Sequence, residues 1–249
     1  MSGHNKWSTI KRKKGALDSK RSKIFSRIIK EIGVAVKEGG GDPDGNPRLR
    51  TAIQNAKGVN MPKENIQRAI AKASAEGSSF IEVNFEGYLH GGVAVFIECL
   101  TDNNNRTVSN IRSIFNKRGG NLGTNGSLSF IFERKGVITL QKNQIKSMDD
   151  FELEIIDAGV EDIEVSDEVL ILTMPLESFG AVQKKLESMK LEAENAELRR
   201  IANDTKNVDA DTARKILRII DDFEDDDDVQ NVFHNLELTD EIMNELEAG

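Results

Sequence analysis

The chain is poor in the residues that most small-molecule chemistry uses. It has one cysteine in 249 residues, so no internal disulfide framework and no CxxC site can form, which fits a reducing compartment. That residue, Cys99, lies within the apolar run VAVFIECL and reads as a small buried hydrophobe. The three histidines, His4, His90 and His234, stand far apart and form no HxxxH or HExxH pair for zinc. GxGxxG and GxxxxGK[ST] are both missing. No apolar run approaches the roughly 18 residues of a membrane span. The basic N-terminus is not followed by the apolar stretch of about 7 or more residues that a secretory signal needs. Acid is also scarce at the front: residues 1–27 carry 9 Lys and Arg but one acid, Asp18.

What is present is sorted by charge. The formal net charge is −8. Residues 1–76 hold 17 Lys and Arg against 7 Asp and Glu, net +10, and residues 77–249 hold 17 against 35, net −18. Cations this dense repel one another, and a polyanion removes that cost while releasing counterions. The stretch HNKWSTIKRKKGALDSKR also contains the sole tryptophan, Trp7, and an indole among cations suits stacking on a base. The candidate nucleic-acid-binding residues are therefore Lys6, Trp7, Lys11, Arg12, Lys13, Lys14, Lys20, Arg21 and Lys23.

From Ser19 onward, Ile24, Phe25, Ile28, Ile29, Ile32 and Val36 recur at helical spacing up to the glycines at 39–41. Asn46 reads as an N-cap before Pro47, and Leu49, Ala52, Ile53 and Ala56 mark a second helix. Ile66, Ala69, Ile70 and Ala73 mark a third. The second and third helices make either a plain αα-hairpin or a helix-turn-helix, the latter presenting Lys63, Asn65, Gln67 and Arg68.

After Gly77 the period shortens. Strands are expected at 80–85, 93–100 and 128–132, with a helix at 108–117. VITL (137–140), a helix over 148–158, strands at 163–165 and 169–173, a helix over 176–189 and a strand over 193–201 spell β-α-β-β-α-β, the ferredoxin-like order. A helix over 211–223 and a strand at 229–236 supply the half-unit that 79–133 lacks. The expected fold class is α+β with three domains: a basic helical domain 1–78, a discontinuous α/β domain 79–133 plus 206–249, and a ferredoxin-like domain 134–205 inserted into it.

Other motifs carry less chemistry. The loop KRGGNLGTNGS (117–127) follows a helix and precedes a strand, the reverse of a phosphate cradle. It reads as a long turn with Gly119 as a helix C-cap, with Lys117 and Arg118 as secondary anion contacts beside Lys63 and Arg68. In LTDNNNRTVSNIR (100–112) the Asp102 and Asn cluster reads as a cap. The acid run DDFEDDDD (221–228) lacks calcium-loop spacing. It is either a solvated turn or a mimic of nucleic-acid charge that competes for the basic N-terminus or meets a cationic partner. No nucleophile–base pair recommends an enzyme, and no cofactor is implied.

GHNKWSTIKRKKGALDSKRSKIFSRI, GGGDPDGNPRLRTAIQNAKGVNMPKENIQRAI, GGVAVFIECLTDNNNRT, KRGGNLGTNGSLSFIFERKG and the late DDDDVQNVFHN together resemble the YebC/PmpR family. One departure is GYLHGG, where the family usually has GYGPGG. The resemblance implies a helical domain and two α/β domains. Members are described as DNA-binding transcriptional regulators. A related line, including a mitochondrial translational activator, acts on the ribosome and assists elongation through proline-rich stretches. Because the motif begins at residue 3, the resemblance also implies a bacterial cytoplasmic protein, with DNA, or alternatively ribosomal RNA, as the partner and no membrane.

Overall fold

The computed structural model describes the backbone at residues 18–77, 79–239 and 242–244, and side chains from residue 21 onward. The described residues begin with three helices: α1 (Asp18–Gly39), α2 (Pro47–Gly58) and α3 (Lys63–Glu76). Next come β1 (Ile81–Tyr88), β2 (Ala94–Thr101), α4 (Asn104–Arg118), β3 (Asn121–Leu122) and β4 (Phe132–Gln141). The order continues with α5 (Met148–Asp157), β5 (Asp162–Val165), β6 (Val169–Pro175), α6 (Phe179–Ser188) and β7 (Ala193–Ala202). α7 (Ala210–Asp225) and β8 (Val229–His234) follow. These elements make a mixed α+β fold with a helical N-terminal region and two antiparallel sheets.

The chain divides into two compact units. The first gathers the described residues through Arg27, Ser79–Glu133 and those from Ile201 onward; the second gathers Ile28–Ser78 and Arg134–Arg200. In the first, the strand order is β3-β1-β2-β8, all neighbours antiparallel. The strand from the end of the chain therefore lies beside β2. Alternation in β2 sends Val95, Ile97 and Cys99 toward α4 and α7, where they meet Ile111, Phe115, Ile216, Ile220 and Phe223. Each large side chain buried this way contributes about 1.5–3 kcal/mol. Phe115 and Phe223 lie with centroids 4.9 Å apart. The other face packs Ala94, Phe96, Leu128, Phe132 and Phe233. Between β1 and β2 the GYLHGG segment forms one 3-10 turn. Gly91 (φ 66°) and Gly92 (φ 74°) take the left-handed conformations that a side chain would strain.

The segment 128–132, expected to be a strand, is not one. Residues 125–131 form turns, and the strand begins at Phe132. The cause is Glu86, a buried carboxylate on β1. Gly126 N–H and Leu128 N–H donate to it at 2.7 and 2.6 Å, so these donors bond a side chain and are not available to a ladder. The third strand is instead Asn121–Leu122, paired with Gly87 and Tyr88.

In the second unit the order β5-β6-β4-β7 is the ferredoxin-like arrangement. Ile138, Leu140, Leu170, Leu172 and Met174 pack with Phe151 and Ile155 of α5 and Val182 and Leu186 of α6. α2 also belongs to this unit. Asn55 on α2 accepts from Ala196 N–H and donates to Ala196 C=O, each at 2.8 Å, pairing the edge strand β7 as a neighbouring strand would. Gly58 follows because a Cβ there would collide with the Glu194 carbonyl.

Candidate nucleic-acid interface

The basic sequence enters the described structure on α1. Lys6, Trp7, Lys11, Arg12, Lys13 and Lys14 lie outside the described residues. Lys20 falls on the first turn of α1. Arg21 is exposed and stacks its guanidinium on Phe25, 5.5 Å from the ring centroid. Lys23 and Arg27 are four residues apart on one face of this helix, and both are engaged.

Their partner is the acidic run. Lys23 Nζ donates to the Asp225 carboxylate at 2.7 Å and to its carbonyl at 3.0 Å. Arg27 Nη2 donates to the Glu224 carbonyl at 2.7 Å. Those carbonyls belong to the last turn of α7, where a helix leaves acceptors unmatched and carries partial negative charge. Two cations of α1 thus cap α7. Burial pushes the Arg27 guanidinium below its usual range, opposed by the charges of Glu224, Asp225 and Asp227. The guanidinium stays charged at any physiological pH.

The rest of the run is held by α4. Asp228 is buried and accepts from Arg106 Nη2 at 2.7 Å, Thr107 Oγ1 at 2.9 Å and Thr101 Oγ1 at 3.1 Å. Arg106 also donates to Asp102 at 2.9 Å, and hydrogen bonds to Asp228 first and Asp102 second raise its pKa. Asn110 Nδ2 donates to Asp226 at 2.8 Å, and Arg118 pairs with Asp222 at 2.6 Å. Asn103, not Asp102, is the N-cap of α4, accepting from Arg106 N–H at 3.1 Å. The TDNNNRT motif therefore fastens the start of α4 to the turn between α7 and β8.

The remaining candidates stay at the surface. Lys63 and Arg68 are exposed on the first two turns of α3, with Asn65 and Gln67 alongside. Their helix is set by the turn after α2, in which Asn60 adopts φ 56°. Lys117 is exposed on the last turn of α4, and Gly119 (φ 74°, ψ 23°) is the left-handed C-cap that follows. The glycine-rich loop after it turns its amides onto Glu86, so an internal carboxylate occupies the place a bound anion would take. Among the described residues no group of His, Cys, Asp and Glu is arranged to hold a metal ion. No described helix is long and apolar enough to cross a membrane.

Comparison with known proteins matches residues 5–76 to the N-terminal domain of the TACO1/YebC protein and residues 80–236 to the TACO1/YebC second and third domain. The chain belongs to the TACO1/YebC family. Its relatives include a probable transcriptional regulatory protein of a Geobacter species, 50% identical over 99% of this chain and 100% of that one. A protein of the same name in Syntrophus aciditrophicus is 50% identical over the full length of both chains. The crystal structure of a conserved hypothetical protein from Aquifex aeolicus is similar, with TM-score 0.81 and 43% identity over 91% of this chain and 94% of that one. At family level this is a regulatory protein.

Sequence reasoning did not single out Arg27, Glu86 or Asp228. Arg27 continues the spacing of Lys20 and Lys23, and that was the available signal. For Glu86 and Asp228 the partners lie 40 and 122 residues away; the acid run 221–228 points to Asp228 only as one carboxylate among several, and nothing local marks Glu86.

Proposed function

We propose that this YebC-family chain is a non-enzymatic regulator of gene expression that grips DNA through its N-terminal part. Lys6, Lys11, Arg12, Lys13, Lys14, Lys20 and Arg21 contact phosphates, and Trp7 stacks or wedges against a base. Lys63 and Arg68 add secondary contacts. The observation that carries the reading is the segregation of charge, nine cations to one acid in residues 1–27 of a chain that is net −8. The contacts of Lys23 and Arg27 with the end of α7 support it, since they anchor the base of the cationic stretch and leave Arg21 exposed. The acidic remainder repels the backbone and orients the grip. The names of the relatives agree with regulation of transcription, and a cytoplasmic setting and the three-domain division at 78, 133 and 205 are part of the same proposal.

A second reading, a ribosome-associated factor that binds ribosomal RNA and assists elongation, is favoured by Trp7. Stacking serves unpaired bases better than a duplex. Phosphates look alike to lysine, so charge alone does not choose between them. The test is the salt dependence of duplex binding by the full chain and by a variant with Lys11, Arg12, Lys13 and Lys14 all changed to alanine. The parent slope of log affinity on log salt should be steep, near −0.9 per phosphate contact, and the variant slope should be flatter. An unchanged slope removes this stretch from the interface.

A further inference from the structure

α4 is unusual for the part of the chain in which it sits. Its fifteen residues, NNRTVSNIRSIFNKR, include four cations and no acid, within a segment that is net −18. One flank is spent on the acidic run, through Arg106 to Asp228, Asn110 to Asp226 and Arg118 to Asp222. The other flank is not. Six polar residues, Asn105, Ser109, Arg112, Ser113, Asn116 and Lys117, line an open hollow of about 550 Å³ together with Val108. None of the six has a hydrogen bond or ion pair to another described side chain.

Apart from Val108 the side chains here are polar or cationic. Guanidinium, ammonium, hydroxyl and amide groups are the side chains that contact phosphate and sugar along a duplex. The spacing 105, 109, 112, 116 keeps four of them on one side of the helix, with Ser113 and Lys117 further round it. From first to last the four cover about 16 Å at 1.5 Å per residue, and duplex DNA offers a phosphate about every 3.4 Å of its axis on each strand. No aromatic side chain lies in the stripe, since Phe115 is fully buried on the opposite side. A splayed single strand would ask for such a stacking platform.

We propose that the outer face of α4 is a second docking surface for the phosphodiester backbone of duplex DNA, with Arg112 and Lys117 as its charged contacts and the Ser and Asn groups as hydrogen-bond partners. The proposal rests on the reading that the partner is DNA, and it relocates the secondary contact near residues 117 and 118. Lys117 is available to a phosphate, whereas Arg118 is already paired with Asp222.

The experiment uses the full chain, a short DNA duplex and an RNA duplex of equal length, with binding followed by fluorescence anisotropy at several salt concentrations. Arg112→Ala with Lys117→Ala should reduce the DNA slope by about 1.8, so that between 50 and 200 mM salt the variant loses about twelvefold less affinity than the parent. Arg118→Ala should leave the slope as it is. All these groups are exposed, and equal thermal melts of parent and variants check the fold. If the Lys11–Lys14 variant loses slope while the Arg112/Lys117 variant does not, the α4 surface is overturned and the N-terminal grip stands. If neither variant loses slope, or the parent ignores DNA, both fail. A loss confined to the RNA duplex overturns the assignment to DNA.

Discussion

Asp228→Ala should be among the more damaging single changes in the first unit. The carboxylate is buried, with its side chain 4% exposed, and it receives the Thr101 and Thr107 hydroxyls as well as Arg106. Arg106 is 46% exposed and keeps Asp102, so it can turn to water at little cost. Thr107 keeps the Asn103 carbonyl at 3.1 Å as an acceptor. Thr101 has no such fallback: it is fully buried, and its oxygen already accepts from Asn103 N–H at 2.9 Å. Stranding that hydroxyl costs about 1–2 kcal/mol, and losing a hydrogen bond to a charged acceptor costs about 1.5 kcal/mol more. The expected total is about 3 kcal/mol, a fall in melting temperature of roughly 6–12 °C for a chain of this size. Thermal unfolding by circular dichroism reads the change. The diagnostic step is Thr101→Val in the Asp228→Ala background, which removes the orphaned hydroxyl and should recover about half of the loss. A fall of less than about 2 °C, or a Thr101→Val change that adds to the loss, would refute this view of the cluster.

Asn46→Ala should cost about 2–4 kcal/mol, since it removes an N-cap and leaves the Ala35 and Gly40 carbonyls without their 2.7 and 2.8 Å donor; denaturant unfolding measures it. Asp209 caps α7 by accepting from Thr212 N–H and Oγ1, which depresses its carboxyl pKa. A depressed carboxyl adds stability above the unfolded value of about 4, and that part is lost as pH falls through the folded value. Asp209→Asn should therefore keep the cap yet lessen the acid-induced drop in melting temperature, and identical pH profiles would count against it. Trp7→Ala should weaken binding to a single strand by about 1–3 kcal/mol if the indole stacks; equal affinities would make Trp7 a packing residue.

Much of this architecture is written in local patterns. Asn46-Pro47 announces the start of α2, and the side chain of Asn46 accepts from Leu49 N–H at 3.0 Å as an N-cap should. The short apolar runs VITL and VLILT mark β4 and β6, whose register sets Ile138 opposite Leu172. The segment 128–132 misleads because Leu128, Phe130, Ile131 and Phe132 make a short, strongly apolar run of β-prone residues, as a buried strand would. Leu128 and Phe132 are indeed buried, but Phe130 is 72% exposed, and the backbone follows a distant glutamate. The acidic run shows the same limit. Its composition reads equally as a solvated turn or as a partner for the basic N-terminus. Lys23 and Asp225, 202 residues apart, meet only once α7 is laid on its sheet. Short-range periodicity exposes elements; it does not expose which charges end up facing each other.

The most direct test of the regulatory reading is crosslinking of the full chain in living cells, followed by sequencing of the attached nucleic acid. Chromosomal DNA should be recovered, and its yield should drop when Lys11, Arg12, Lys13 and Lys14 are replaced by alanine. Recovery of ribosomal RNA alone, or a yield indifferent to those four residues, would contradict a DNA grip at the N-terminus.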